Sequence, residues 1–255
     1  MAPTNSVFSQ AFSAIRRRPL TLWFAAAWPY LILALVYASI TVSIKVNQSS
    51  GPQISLMERY NAMGYGEKLA MIFAFIASIF VPADLAASAV SFLIWTEHQG
   101  HESTLRAYFL RLAKTIFPLL ALSMSLGTVA FFASFAFGIP GLLLAAWTAF
   151  VIPTLIIGDV STSKPFRKAL RRASDTFGTL LSIYFVIAIF LTLVLVVSMF
   201  VKVQADDQNW QVSLVSFWII FVIAFSGGMM IRSALVACLL MRAQFSSQPP
   251  STEQV

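Results

Sequence analysis

The stretch from Gly138 to Gly178, GIPGLLLAAWTAFVIPTLIIGDVSTSKPFRKALRRASDTFG, decides the fold of this chain. Its first part, Gly141 to Ile157, has no charged residue and would extend about 25 Å as a helix, which predicts a short transmembrane span. Asp159 ends this apolar run. A second helix is expected to begin at Pro165, because the proline ring fixes the φ angle that a first helical residue needs.

The segment after Pro165 is amphipathic. Apolar residues recur at helical spacing, at Phe166, Ala169, Leu170, Ala173 and Phe177. The other face carries Arg167, Lys168, Arg171 and Arg172. We expect this helix to lie in the headgroup plane, where each basic residue near anionic lipid contributes about 1 kcal/mol of binding.

The composition identifies an integral membrane protein. Hydrophobic residues make up 58% of the chain and charged residues 11%, which leaves too little polar surface for a water-soluble globule of 255 residues. The net charge of +7 does not indicate nucleic-acid binding, because the basic residues flank apolar runs instead of forming a basic domain. A single cysteine, Cys238, excludes an intramolecular disulfide.

The apolar runs predict an all-α fold with six transmembrane helices in one membrane domain, residues 1–255. The predicted spans are residues 20–44, 69–95, 116–137, 141–157, 177–201 and 212–241. Basic amphipathic segments precede the odd-numbered spans, and we expect each of them to be a surface helix. Most lysines and arginines fall in the loops on the side of the two termini, so both termini are predicted to face the cytoplasm.

The three amphipathic segments share the spacing 0, 3, 4, 7 and suggest an internal repeat. Their apolar positions are Phe8/Ala11/Phe12/Ile15, Leu105/Tyr108/Phe109/Leu112 and Phe166/Ala169/Leu170/Ala173. The alternative remains open that any basic interfacial helix before a span would give this pattern.

Part of the chain resembles a bacterial family of six-span proteins that includes the membrane region of membrane-anchored glycerophosphoryl diester phosphodiesterases. The residues that carry the resemblance are Pro140-Gly141, Pro153, Asp159, Ala169-Leu170-Arg171-Arg172-Ala173-Ser174 and Gly178, within residues 100 to 200. The resemblance implies a six-helix fold and a bacterial inner membrane. It does not imply hydrolysis, because in that family the catalysis resides in an appended soluble barrel domain.

The search for chemistry gives no catalytic, cofactor-binding or metal site. His98 and His101 are close in sequence, but Gly100 weakens a helix between them and no third ligand is evident, so we interpret this segment as a solvated loop. Cys238 has no histidine nearby in sequence and is interpreted as a packing residue. We therefore expect no enzyme activity and no cofactor.

Asp84 and Arg232 are the charged residues that lie well inside predicted spans. Asp84 lies about 18 Å from the end of the second span and Arg232 about 14 Å from the end of the sixth. A lone charge at such depth costs at least about 2.5 kcal/mol, which favours a pair between them. In the alternative, Arg232 extends to the headgroups and Asp84 is protonated or contacts Ser88.

Two classes of function remain. The first is a non-enzymatic protein with an organising or accessory role in the envelope, whose partners are the bilayer, anionic headgroups at the cytoplasmic face and a further membrane protein. The second is a transporter or channel for a small solute or lipid, in which intramembrane charges would line the path. We favour the first, because a translocation path needs more polar lining than one or two ionisable residues.

Overall fold

The computed structural model describes residues 5–49, 61–101, 103–134, 139–158, 164–203 and 210–245. Within these residues the chain forms nine α-helices of more than one turn. They are α1 (Asn5–Arg17), α2 (Pro19–Ser49), α3 (Tyr65–His98), α4 (Leu105–Ser134), α5 (Ile139–Trp147), α6 (Val151–Ile157), α7 (Lys164–Asp175), α8 (Phe177–Val203) and α9 (Trp210–Phe245).

The all-α membrane fold is confirmed. Six helical segments in the described part of the chain are long and apolar enough to cross a bilayer, and each overlaps one of the six predicted spans. Five are continuous helices, α2, α3, α4, α8 and α9. The last residues of the third predicted span, 135–137, lie outside the described residues, as does Asp159.

The fourth span differs from the prediction, because it is not one helix. It consists of α5 and α6, which are separated by a turn at residues 148–150. The turn replaces part of the regular i→i−4 bonding with i→i−3 bonds, from the amide of Ala149 to the carbonyl of Ala146 and from Val151 to Thr148. Pro153 contributes to the break, since it has no N–H to donate to the Ala149 carbonyl one turn earlier.

Two of the three expected surface helices are separate elements, and the third is not. α1 is separated from α2 by a bend at Arg18, and α7 from α8 by a turn at Thr176. Before the third span no separate surface helix forms. The segment from Leu105 continues into the span as the single helix α4, because no residue between them breaks the helix and Pro118 is accommodated inside it.

α9 and α3 lie at the centre of the bundle. α9 packs against α1, α2, α3 and α8, and α3 packs against α2, α4, α6 and α9. Small residues let these helices approach each other. A Cβ atom at Gly127 of α4 would lie 2.7 Å from Cγ of Phe80, and a Cβ atom at Gly228 of α9 would lie 3.3 Å from Leu191.

Hydrogen bonds and ion pairs connect the elements at one end of the bundle, which we call the terminal face. It comprises α1, the ends of α3 and α9, and the start of α4. Arg18 donates from Nη1 to the Ser103 hydroxyl at 2.6 Å and to the Ser103 carbonyl at 3.0 Å. Arg17 and Arg18 also form ion pairs with Glu97, at 3.7 Å and 3.9 Å. The junction of α1 and α2 is thereby attached to the loop between α3 and α4.

Arg111 connects α4 to the end of the fourth span. Its Nε donates to the carbonyl of Ile156 at 3.1 Å, and its Nη2 donates to the carbonyl of Gly158. The last carbonyls of a helix have no partner within the helix and carry the negative end of its dipole. Arg111 therefore caps α6.

Candidate functional site

A small polar cavity lies inside the bundle and is the candidate functional site. Its volume is about 80 Å³. Five spans contribute to its wall, with Phe80, Ala83, Asp84 and Ala87 from α3; Leu126, Gly127 and Ala130 from α4; Ala145, Thr148, Ala149 and Ile152 from the fourth span; Tyr184 from α8; and Arg232 from α9. The cavity thus brings Asp84 and Arg232 together from helices that are distant in sequence.

The two charged residues lie at the same depth in the bundle. Along its helix, Asp84 lies roughly 20 Å before the C-terminal end of α3. Arg232 lies roughly the same distance before the C-terminal end of α9. Arg232 lies close enough to Asp84 to interact with it electrostatically. Within the described part of the chain, however, Asp84 forms no ion pair shorter than 4.0 Å. The pairing of Asp84 and Arg232 therefore stays a prediction, now with a cavity between the two helices that carry them.

Arg232 is positioned by an aromatic ring. Its guanidinium carbon lies 5.1 Å from the centroid of the Tyr184 ring, which is the geometry of a cation–π contact. The Nε atom of Arg232 is buried and has no hydrogen-bond partner among the described residues. The guanidinium group thus has an aromatic neighbour and one N–H group without a hydrogen-bond acceptor in the described part of the chain.

Asp84 has Ser123 of α4 as a polar neighbour. The Ser123 side chain interacts with the Asp84 carboxyl group, yet its hydroxyl oxygen is fully buried and within the described residues has no partner at hydrogen-bonding distance. Ser88, the alternative neighbour considered for Asp84, has other partners. Its hydroxyl donates to the carbonyl of Leu85 at 2.8 Å and lies 2.9 Å from the hydroxyl of Tyr108.

The break in the fourth span lies at the cavity. Thr148 and Ala149, which form the turn between α5 and α6, both line it. The Thr148 hydroxyl donates to the carbonyl of Leu144 at 2.9 Å, so its oxygen still has acceptor capacity toward the cavity. Interrupted membrane helices of this kind occur where the backbone lines a cavity or a binding site.

The basic face of α7 forms a second candidate surface. Ala169 and Ala173 are fully buried where α7 packs against α6, whereas Arg167, Lys168 and Arg171 are exposed and Arg172 is partly exposed. The side chain of Phe166 lies outside the described residues. At the end of α7, the indole Nε1 of Trp147 donates to the Ser174 hydroxyl at 2.9 Å. α7 is therefore fixed to the fourth span with its basic residues pointing away from it.

α1 presents apolar residues beside its buried face. Val7 and Ala11 are buried, but Phe8 is 41% exposed and Phe12 56% exposed. The expected apolar face of Phe8, Ala11, Phe12 and Ile15 is thus divided between the bundle and its surroundings. This arrangement is typical of a helix at a membrane interface, which packs on protein on one side and on lipid on the other.

An open cavity of about 720 Å³ lies at the terminal face, between α1 and the ends of α3 and α9. Glu97, His98, Cys238 and Arg242 are among its lining residues. His98 ends α3, and the chain turns at Gly100, whose φ of 74° favours glycine. The described residues contain no group of three or more His, Cys, Asp or Glu side chains that could hold a metal ion.

Sequence reasoning did not identify Tyr184, Thr148 or Ser123 as site residues. No local pattern distinguishes these residues from the many others of their kind in membrane helices. Comparisons of the chain with known protein families, with curated proteins and with solved structures give no match.

Proposed function

We propose that this chain is a non-enzymatic multi-pass protein of a bacterial inner membrane, with both termini in the cytoplasm and an organising or accessory role in the envelope. The observation that supports it best is the attachment of α7, whose alanines are buried against the bundle and whose basic residues face outward. A basic surface held in this orientation suits anionic headgroups or an acidic partner protein.

The exposed phenylalanines of α1 support the same role. Phe8 and Phe12 would enter the acyl boundary beside the bundle, while the basic run from Arg16 to Arg18 follows at the end of the helix. The resemblance of residues 100 to 200 to a bacterial six-span family is consistent with this proposal.

Lipid retention tests the role of α7. The full-length protein would be reconstituted in vesicles of phosphatidylethanolamine and phosphatidylglycerol, extracted gently, and analysed for bound lipid by native mass spectrometry. Replacing Arg167, Lys168, Arg171 and Arg172 with glutamine should reduce the retained phosphatidylglycerol, because the headgroup attraction of about 1 kcal/mol per basic residue is lost. A control variant that exchanges arginine and lysine at the same positions keeps the charge and should retain the lipid. Equal retention by the glutamine variant would reject a lipid-binding role for this face.

A transporter or channel is the second candidate, and the polar cavity favours it. A cavity beside an interrupted helix, with a carboxylate and a guanidinium on its wall, has features of a midplane binding site. Its volume is well below the roughly 300–1,000 Å³ of sites for drug-sized ligands, so an organic solute would need a more open conformation. Proteoliposomes loaded with a pH-sensitive dye, or supplied with radioactive sodium, test this candidate. Saturable flux that Asp84→Asn abolishes would establish transport and overturn our preference.

A further inference from the structure

Three polar groups in or beside the bundle cavity lack a close partner in the described part of the chain. Within the described residues, Nε of Arg232 and the hydroxyl of Ser123 make no hydrogen bond, and Asp84 has no ion pair within 4.0 Å. Each buried polar group left in this condition would cost about 1–3 kcal/mol, and more when it is charged. A small polar occupant between these groups would remove this cost.

The size of the cavity suits water as its occupant. A water molecule takes up about 30 Å³ in the liquid, so a cavity of about 80 Å³ holds about two or three of them. Water binds in buried cavities that offer two to four polar partners, whereas cavities with purely apolar walls stay dry. Asp84, Arg232 and Thr148 on the cavity wall provide such partners here, and Ser123 lies beside Asp84.

We propose that the cavity is a water-binding site in which water molecules bridge Asp84 to Arg232. The Nε–H of Arg232 donates to water, and water donates in turn to the Asp84 carboxylate. The two charges are then connected across the cavity without direct contact. The inference rests on neither candidate function, since a bridged ion pair is compatible with a structural role and with a path for a solute.

An ion or an organic solute fits this cavity less well than water. Asp84 and Arg232 carry opposite charges, so a bound cation would be repelled by one residue and a bound anion by the other. The described residues offer no cluster of His, Cys, Asp and Glu side chains to hold a metal. Larger side chains on the cavity wall would expel the water. Many of the wall residues are small, namely Ala83, Ala87, Gly127, Ala130, Ala145 and Ala149.

X-ray radiolytic footprinting of the full-length protein in detergent tests the proposal, because hydroxyl radicals formed from bound water label the side chains beside it. The comparison is between two tyrosines. Tyr184 lines the cavity and is partly buried, whereas Tyr108 is fully buried and its hydroxyl is bonded to Ser88 and to the carbonyl of Leu85. We expect Tyr184 to be labelled severalfold faster than Tyr108, because polar cavities of this size hold water.

Two kinds of variant separate bound water from bulk solvent. Ala149→Leu fills the cavity with a larger side chain. Asp84→Leu combined with Arg232→Met removes the charged groups that would bind water and keeps a similar side-chain volume. Both variants should reduce the labelling of Tyr184 to the rate of Tyr108. Ala70→Leu, at an exposed position of the same helix as Asp84, is the matched control and should change nothing. Ala87→Leu replaces Ala149→Leu if that variant does not fold. Labelling of Tyr184 that is no faster than that of Tyr108, or that persists in every folded variant, would overturn the proposal.

A sodium titration excludes the main competing occupant. A ligand that binds only the folded state raises its stability with concentration. We expect the thermal midpoint to be the same in sodium chloride and choline chloride of equal ionic strength. Stabilisation by sodium that disappears in Asp84→Asn would make the cavity a cation site and contradict water as its occupant.

Discussion

The guanidinium group of Arg232 lies over the ring of Tyr184, with 5.1 Å between the guanidinium carbon and the ring centroid. This contact joins α9 to α8 on the wall of the bundle cavity. An arginine inside a membrane bundle could otherwise extend toward the headgroups, and the aromatic ring favours the position beside Asp84. The contact is therefore one reason why the cavity contains a positive charge.

Tyr184→Leu should lower stability more than Tyr184→Phe. The phenylalanine ring keeps a π face for the guanidinium, whereas leucine removes it, and a desolvated cation–π contact contributes about 2 kcal/mol. The measurement is the thermal unfolding midpoint of the two purified variants in the same detergent. Equal midpoints for the two variants would show that the ring contributes by its bulk alone.

The effects of Asp84→Asn and Arg232→Gln on stability should not be additive. Each single variant leaves the other charge without compensation, at a depth where a lone charge costs at least about 2.5 kcal/mol. The double variant should therefore lose less stability than the two single variants lose together. The measurement is the folded yield and thermal midpoint of the wild type and the three variants. Strictly additive losses would contradict any pairing, direct or through water.

Gly141→Ala should be strongly destabilising. Its new Cβ atom would lie 2.8 Å from the backbone carbonyl oxygen of Ala130 and would also collide with Ser134, and a backbone atom cannot move aside cheaply. Gly227→Ala is the matched control, because no atom outside its own helix lies within 4 Å of the added Cβ. The control should be neutral or stabilise by about 0.5–1 kcal/mol, as for alanine in a helix interior. Similar thermal midpoints for the two variants would contradict the close packing of α4 on α5.

Arg111→Ala should loosen the end of the fourth span. It removes two hydrogen bonds from a charged donor to the carbonyls of Ile156 and Gly158, each worth about 1.5–3 kcal/mol. Lys114→Ala, at an exposed position of the same helix, should have little effect. Limited proteolysis with trypsin, followed at the Arg167–Lys168 bond, measures the release of the adjoining segment. Identical cleavage rates in the two variants would show that the cap does not hold α6.

Reporter fusions test the proposed orientation. A reporter active only outside the cytoplasm should be silent after residue 100, after residue 165 and at the C-terminus, and active near residues 55 and 207. This pattern follows from the excess of lysine and arginine in the loops on the side of the termini. Activity at the C-terminus would reject six spans with this orientation.

The sequence alone determined the fold class and the location of the spans. In an apolar run that crosses a bilayer, the backbone N–H and C=O groups must form hydrogen bonds with one another. A single run can do this as an α-helix. Periodicity also predicted which face of α7 is buried, since Ala169 and Ala173 are the residues that contact the bundle. Gly100 was expected to weaken a helix between His98 and His101, and the helix α3 ends at His98, before a turn in which Gly100 has a positive φ.

The sequence could not determine which spans are broken or continuous. Pro29, Pro82 and Pro118 lie inside helices that continue through them, whereas the span with Pro153 breaks at residues 148–150. A proline always removes one hydrogen bond, but whether the helix bends or breaks depends on the neighbours that satisfy the freed carbonyl. Those neighbours come from other helices.

The cavity was decided by the tertiary structure. Depth along each helix can be counted from the sequence, and it placed Asp84 and Arg232 within about 4 Å of each other in depth. The rotation of each helix about its axis, and the order of helices around the bundle, depend on how the side chains of distant segments fit together. That packing placed Tyr184 under Arg232, set Ser123 beside Asp84, and left a space of about 80 Å³ that both charged residues line.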